Sequence, residues 1–257
     1  MIQKKRLKAL GIAYDPITFD EILSEIERSV SCGTRLLIGY ANLHGAYLSQ
    51  ENHALSSFSK MADIFYADGM PLVLWRKILW NDTGREHRST LSQCLPMFLH
   101  FIASRNFRIY YIGSEDRVLK EGLRSLKKAH PTLQIEGHHG FFDKGTNSLE
   151  NKQLLEQICE FKPHILMVGM GMPIQEKWIL ENLHALTSPV IYATGAAVEY
   201  FSGHVARPPA WMSKNGLEWA FRLYSQPKKL WHRYLVEPWH LVGAAWGDIK
   251  ERLYERS

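Results

Sequence analysis

Ile165-Leu166-Met167-Val168 runs without a polar break into Gly169-Met170-Gly171-Met172-Pro173-Ile174-Gln175-Glu176-Lys177-Trp178. An uninterrupted apolar run of this length is the pattern of a strand buried on both faces. The two glycines end the strand, and the residues after Pro173 read as a helix. Four other runs repeat the first part of this pattern: Leu36–Ala41, Ile64–Ala67, Ile109–Ile112 and Val190–Ala193. Amphipathic stretches lie between them. Thr18-Phe19-Asp20-Glu21 is a capping-box sequence, after which Ile22, Ile26 and Val30 recur at helical spacing. A second helix carries Val118, Leu119, Gly122, Leu123 and Leu126. Strand–helix alternation of this kind predicts an α/β fold, a Rossmann-like, mostly parallel sheet flanked by helices.

The chain has 257 residues, of which 46% are hydrophobic and 22% charged, so most of it has the apolar content to fold. No apolar run reaches the ~18–20 residues needed to span a bilayer. The first apolar stretch stops at Asp15, too soon for a secretory signal. Cys32, Cys94 and Cys159 are odd in number and share no C-x-x-C spacing, which points to a reducing cytoplasm rather than a disulfide framework or a zinc site. The histidines, including His138-His139, lack ligand spacing, and neither G-x-S-x-G nor G-x-G-x-x-G occurs.

The net charge of +5 is unevenly placed. Between Arg207 and His240 stand Arg207, Lys214, Arg222, Lys228, Lys229 and Arg233, against Glu218 and Glu237, together with Trp211, Trp219, Trp231 and Trp239. We therefore divide the chain into an α/β core over 1–200 and a helical, basic and aromatic appendage over 201–257. In the appendage Leu217, Phe221 and Tyr224 share a helical face, and Pro227 is placed to open a further helix. Trp and Tyr beside Lys and Arg suit an interfacial helix on an anionic membrane, with Lys228, Lys229, Trp231 and Arg233 as the contact. Packing of these helices on the core is the plainer reading. RNA is the other anionic partner, but no RNA-binding motif accompanies the charge.

Several strands end in small or polar residues, where α/β proteins place ligands. The ends read Tyr40-Ala41-Asn42, Ala67-Asp68-Gly69-Met70-Pro71, Gly113-Ser114-Glu115-Asp116, Gly169-Met170-Gly171 and Thr194-Gly195-Ala196-Ala197. Glycine turns before helix N-termini can present backbone N–H groups to an anion, which suggests a phosphate-bearing small molecule. They also simply make tight turns. Asp68, after a strand and before Gly69, is placed either to accept a proton or to cap the next helix.

Taken together, Ala67-Asp68-Gly69-Met70-Pro71, Val168-Gly169-x-Gly171-x-Pro173-x-Gln175-Glu176-Lys177-Trp178, Gly195-Ala196-Ala197 and Arg207-x-Pro209 resemble the bacterial WecG/TagA/CpsF glycosyltransferases, glycosyltransferase family 26. The likeness runs from about residue 10 to about 240, continuing through Gly216-Leu217-Glu218-Trp219, Arg222-Leu223 and Pro227-Lys228. The resemblance implies an inverting, metal-independent enzyme with a GT-E-like fold at the cytoplasmic face of the inner membrane. Such enzymes move a sugar from a UDP donor to a polyprenyl-diphosphate-linked saccharide, with no cofactor. Relatives use N-acetylmannosamine, its uronic acid, or glucose. The absence of D-x-D, which holds the metal in many nucleotide-sugar enzymes, agrees with the metal-free expectation.

Carried over residue by residue, the resemblance makes Asp68 the base and places Asn42 and Arg88 beside it. Arg88, Arg207 and Arg222 are expected to stabilise the UDP leaving group. The donor set comprises Gly69, Gly113, Ser114, Gly169, Gly171, Pro173, Gln175, Glu176, Gly195, Ala196, Glu199, Arg207 and Arg222. For Glu176 and Trp178, capping and core packing stand as the alternative, and for Arg222 a structural role. This chain departs from relatives in three places: Tyr40 replaces a smaller residue, Arg88-Ser89-Thr90-Leu91-Ser92-Gln93 lacks the Gly and Asp of R-V-T-G-S-D, and Glu199 stands where Asp is usual. Two other readings are a non-catalytic membrane-bound UDP-sugar-binding module and a different nucleotide-sugar enzyme on a Rossmann-like fold.

Overall fold

The structure, a computed structural model, describes residues 5–195, 197–200, 202, 208–209, 211–212 and 215–256. The chain opens with an antiparallel hairpin, β1 (Leu7–Ala9) and β2 (Ile12–Tyr14), then α1 (Phe19–Cys32), β3 (Leu36–Ala41), α2 (Leu43–Leu48), α3 (His53–Met61) and β4 (Ile64–Ala67). It continues through α4 (Met70–Trp80), α5 (Leu91–Ser104), β5 (Arg108–Gly113), α6 (Asp116–Ala129) and β6 (Gln134–His138). Next come α7 (Leu149–Phe161), β7 (Ile165–Gly169), α8 (Ile174–Asn182) and β8 (Val190–Ala193). The last part is helical: α9 (Glu218–Ser225), α10 (Pro227–Trp231), a π-helical turn (His232–Val236), α11 (Glu237–His240) and α12 (Val242–Arg256).

The main sheet has the order β4-β3-β8-β7-β5-β6, and its neighbouring strands pair in parallel. The expected α/β fold with C-terminal helices is what the structure has. Both faces of the sheet are covered. On one, Leu37, Phe65, Tyr110, Leu166 and Ile191 pack with Phe58, Leu154, Ile158 and Trp178. On the other, Ile38, Tyr66, Ile109, Met167 and Tyr192 pack with Ile22, Ile26, Phe98 and Leu119. Each such side chain gains about 1.5–3 kcal/mol on burial, so the alternating faces of every central strand contribute to stability. The capping box is realised: Thr18 accepts from the Glu21 N–H, and the Glu21 carboxylate accepts from the Thr18 N–H.

The sheet order fixes where a ligand can sit. β3 and β4 lie on one side, β5 and β6 on the other, and β7 and β8 fill the gap last. The carboxyl ends of β3, β8 and β7 therefore meet at the centre, where the strand order reverses. The C-terminal helices return across this end. Asp248 of α12 accepts from the Leu10 N–H (2.7 Å) and from Trp75 Nε1 (2.9 Å). Arg252 donates to the Leu79 carbonyl at 2.8 Å, tying α12 to α4. Among the described residues, no helix is long and apolar enough to cross a membrane.

Candidate active site

A cleft of about 1000 Å³ opens over the carboxyl ends of the central strands. Its floor carries Tyr40 of β3 and Asn42 just after it, Tyr66 of β4 and Asp68 just after it, Ser114 after β5, Gly169 of β7 and Gly195 after β8. Its other wall comes from the C-terminal helices, with Glu218, Trp219, Arg222, Lys229, Arg233 and Tyr234. Close packing at the floor demands glycine: a Cβ on Gly169 would lie 2.1 Å from the Tyr111 hydroxyl and 2.4 Å from the Gly195 carbonyl oxygen.

Asp68 is half-buried at the head of this cleft. Gly69, at φ 123°, is the N-cap of α4, so glycine rather than Asp68 holds the capping position after β4. A positive φ of that size suits glycine alone, and it turns the chain away just after the carboxylate. Burial, and then the nearby Glu218 carboxylate, push the Asp68 pKa above the ordinary carboxylate value; Arg222, Arg233 and a hydrogen bond from Thr90 pull it down. The net shift is upward. A carboxylate so placed is a better proton acceptor than one in water. Thr90 is itself held by Arg88, whose Nε donates to the Thr90 hydroxyl at 3.1 Å.

The cations of the cleft divide into two groups. Arg88, its side chain 7% exposed, pairs with Glu218 at 3.0 Å and so binds the body to α9. Arg222, Lys229 and Arg233 line the opposite wall. Burial opposes the Arg222 charge, and the surrounding Tyr200, Tyr234, Asp68 and Tyr40 more than offset it, raising its pKa. The segment carrying Arg233 is anchored from the body: Glu237, 5% exposed, stands 2.7 Å from His44 Nδ1 at the start of α2. Burial and then Arg233 depress the His44 pKa.

Of the expected site residues, Asn42, Asp68, Gly69, Arg88, Ser114, Gly169, Gly171, Gly195, Glu199 and Arg222 do line the cleft. Asn42 also spends its Oδ1 on the Gly45 N–H (2.9 Å), capping α2. Ala196 and Arg207 lie outside the described residues. Gly113 and Pro173 are not in the lining; Gly113 packs against the Gly169 carbonyl below the floor. Gln175 and Glu176 lie behind the floor, 0% and 1% exposed, rather than against the donor space. The Gln175 Oε1 accepts the Gly171 N–H (3.1 Å) and the Gly195 N–H (3.2 Å). Those two backbone donors are therefore committed within the protein and not presented to an anion. Trp178 is core, as its packing alternative held, with Nε1 donating to Asn151 at 2.8 Å.

The supposed membrane contact also splits. Lys229, itself exposed, and Arg233 line the cleft, whereas Lys228 and Trp231 are exposed and lie outside its lining. Leu230, 4% exposed, pins α10, so its neighbours on either side cannot share one outer face. Sequence reasoning did not single out Thr90, Glu218, Tyr66 or His44 as cleft residues. Thr90, Glu218 and Tyr66 stood within stretches quoted above and His44 two residues after Asn42, but only the fold brings α9 and the turn before α5 onto Asp68.

Comparison with known proteins agrees with this architecture. The model of the glycosyl transferase WecG/TagA/CpsF family matches residues 7–254. The chain is 27% identical over 194 residues to N-acetylglucosaminyldiphosphoundecaprenol N-acetyl-beta-D-mannosaminyltransferase of Staphylococcus aureus strain MW2. That alignment covers 76% of this chain and 70% of the relative. The corresponding enzyme of strain MRSA252 is similar to the same extent, 27% over 194 residues. The match spans the hairpin, the sheet and the helices that close over Asp68, and the chain belongs to the WecG/TagA/CpsF family of glycosyltransferases.

Proposed function

We propose that this chain is an inverting, metal-independent glycosyltransferase that moves a sugar from a UDP-sugar to a polyprenyl-diphosphate-linked saccharide at the cytoplasmic face of the membrane. The observation that carries the reading is Asp68: a carboxylate with a raised pKa, enclosed with the cationic side chains Arg222 and Arg233 in one cleft. In the forward reaction an acceptor hydroxyl attacks the anomeric carbon while its proton passes to Asp68. The new glycosidic C–O bond forms as the bond from that carbon to the β-phosphate oxygen breaks. UDP leaves with the electron pair, and the anomeric configuration inverts because one displacement occurs.

The charge gathering on UDP falls to Arg222, Lys229 and Arg233, with Arg207 adding to them and Arg88 holding Thr90 and Glu218 in place. Fixed cations in a partly enclosed cleft stabilise such charge without reorganising. The acceptor class follows the printed names of the relatives, which act on a diphosphoundecaprenol-linked sugar. The exposed aromatic residues Trp231 (51%), Trp239 (75%) and Trp246 (58%) suit docking at the lipid surface where such an acceptor resides.

Incubating the full chain with a panel of UDP-sugars and a polyprenyl-diphosphate N-acetylglucosamine acceptor, followed by mass spectrometry, tests this reading. The expected result is one added sugar from one donor, with activity retained in EDTA. No product from any donor would overturn it, and loss on chelation restored by Mn²⁺ or Mg²⁺ would overturn its metal-free part.

A further inference from the structure

Beneath the cleft floor lies a hydrogen-bonded chain that the proposed reaction leaves without a task. Gln175 is the centre of it. Its Oε1 accepts two backbone N–H groups, from Gly171 and Gly195, so that end of the amide must be the oxygen. The Nε2 end then faces Glu176 Oε1 at 2.7 Å and the Tyr40 hydroxyl at 3.5 Å. Flipping the amide would set its NH2 group against two backbone donors, so the orientation is fixed. The Tyr40 hydroxyl consequently accepts a hydrogen bond from Gln175 and keeps its own proton to donate. Burial, and then Glu176 and Asp68, hold the Tyr40 phenol far above its ordinary pKa, so the proton stays in place at physiological pH.

That proton has no acceptor among the described residues, while the Tyr40 side chain lines the cleft. Its hydroxyl lies against the bare face of Gly195, where a Cβ would stand only 2.9 Å away. Tyr40 pairs with Tyr66 across β3 and β4, and the Asp68 N–H donates to the Ala41 carbonyl at 2.8 Å, so Tyr40 and Asp68 line adjoining strand ends of the same cleft. Glu176 is 1% exposed and its Oε2 has no hydrogen-bond partner among the described residues. A buried carboxyl kept at that cost has a reason to be there.

We propose that Tyr40 is a sugar-binding residue, donating its phenolic proton to an acceptor oxygen of the transferred sugar, and that Glu176, acting through Gln175, is the positioning residue that aims it. The inference rests on the UDP-sugar reading and adds the contact by which this chain selects its sugar. Neutral hydroxyl-to-oxygen contacts in sites built around them discriminate strongly, because a missing partner leaves a polar group unpaired.

The test is Tyr40→Phe, which removes one oxygen and keeps the ring. Turnover is measured with the preferred UDP-sugar, and calorimetry compares affinity for the UDP-sugar with affinity for UDP alone. We expect kcat/KM to fall about 10- to 100-fold, with UDP affinity unchanged and UDP-sugar affinity reduced. A loss within twofold, or equal weakening of UDP and UDP-sugar, would overturn the assignment. Glu176→Gln, which keeps a carbonyl oxygen for Gln175, should retain most activity, whereas Glu176→Leu should match Tyr40→Phe. The Tyr40→Phe/Glu176→Leu double variant should lose nothing further. If the two losses multiply, Glu176 does not act through Tyr40. Should Glu176→Leu fail to fold, a Glu176→Gln variant as impaired as Tyr40→Phe would refute the positioning role. A wild-type chain inactive with every UDP-sugar would bring down the parent reading together with this one; an active wild type with an unaffected Tyr40→Phe would bring down this one alone.

Discussion

The two walls of the cleft are built on different principles. On the sheet side, polar groups are buried and committed to each other: Gln175 staples two glycine turns, and the Tyr192 hydroxyl donates to that of Tyr66 at 3.0 Å. On the helical side, α9 has no buried residue, and Leu230, Glu237, Leu241 and Asp248 anchor a segment otherwise half-buried or exposed. The sheet wall supplies geometry and the helical wall supplies charge. Segments held by few buried contacts open at lower free energy than a core does. The helical wall is therefore the part of the cleft that opens at the lower free energy.

This contrast can be broken most sharply at the charges. Arg222→Gln and Arg233→Gln should each lower kcat by about 10²–10³-fold, the usual worth of one fixed group stabilising a leaving anion. Thermal stability should hardly change, since neither residue is in the packed core. Steady-state kinetics beside a melting curve would check this. A large fall in melting temperature with intact kcat would mean that these arginines belong to the scaffold.

The sheet wall has its own signature, in stability rather than rate. Burial raises the Glu176 pKa from 4.5 to about 7. The folded state thus favours the protonated acid: the stability this gives is present below pH 4.5 and is lost as pH rises to about 7. Glu176→Gln should accordingly become progressively more stable than the parent across that window, by on the order of 3 kcal/mol at the plateau. Urea denaturation at a series of pH values measures it. A difference that does not vary with pH would show that Glu176 is not buried as a titrating acid.

The smallest effects are expected on the outer surface. Lys228→Gln should weaken binding to anionic vesicles about fivefold, since each basic residue near such a surface is worth about 1 kcal/mol. Turnover of a water-soluble acceptor analogue should be unchanged. Lys229→Gln, one residue on, should do the reverse, because Lys229 lines the cleft. Raising salt should weaken the vesicle binding, as the Debye length falls from ~10 Å at 0.1 M to ~3 Å at 1 M. Vesicle binding that ignores both Lys228 and salt would place the membrane contact elsewhere.

The same contrast explains what was legible in the sequence. Five strands could be read because burial on both faces leaves an apolar run with no other explanation. β6, Gln134-Ile135-Glu136-Gly137-His138, escaped because it is an edge strand with only Ile135 buried. The hairpin strands escaped because three residues carry no periodicity. Asp68 was open to two readings until Gly69 proved to be the helix cap. Gln175 read as a ligand group because nothing local reveals that two N–H groups, one of them twenty residues away, converge on its oxygen. Lys229 and Arg233 read as membrane-facing because composition gives a charge but not a direction; direction came from Leu230 and from the His44–Glu237 contact.

The central claim, that Asp68 is the base in a cleft whose charge comes from the opposite wall, is tested most directly by kcat/KM against pH for the parent, Asp68→Asn and Glu218→Gln. Because the Asp68 pKa is raised, the parent should lose activity as pH falls through a value above 3.8. Removing the Glu218 carboxylate, which helps to raise it, should move that limb to lower pH. Asp68→Asn should abolish the limb and reduce turnover by about 10²–10⁴-fold while UDP binding persists. A folded Asp68→Asn variant with near-normal turnover and the same acid limb would contradict the account.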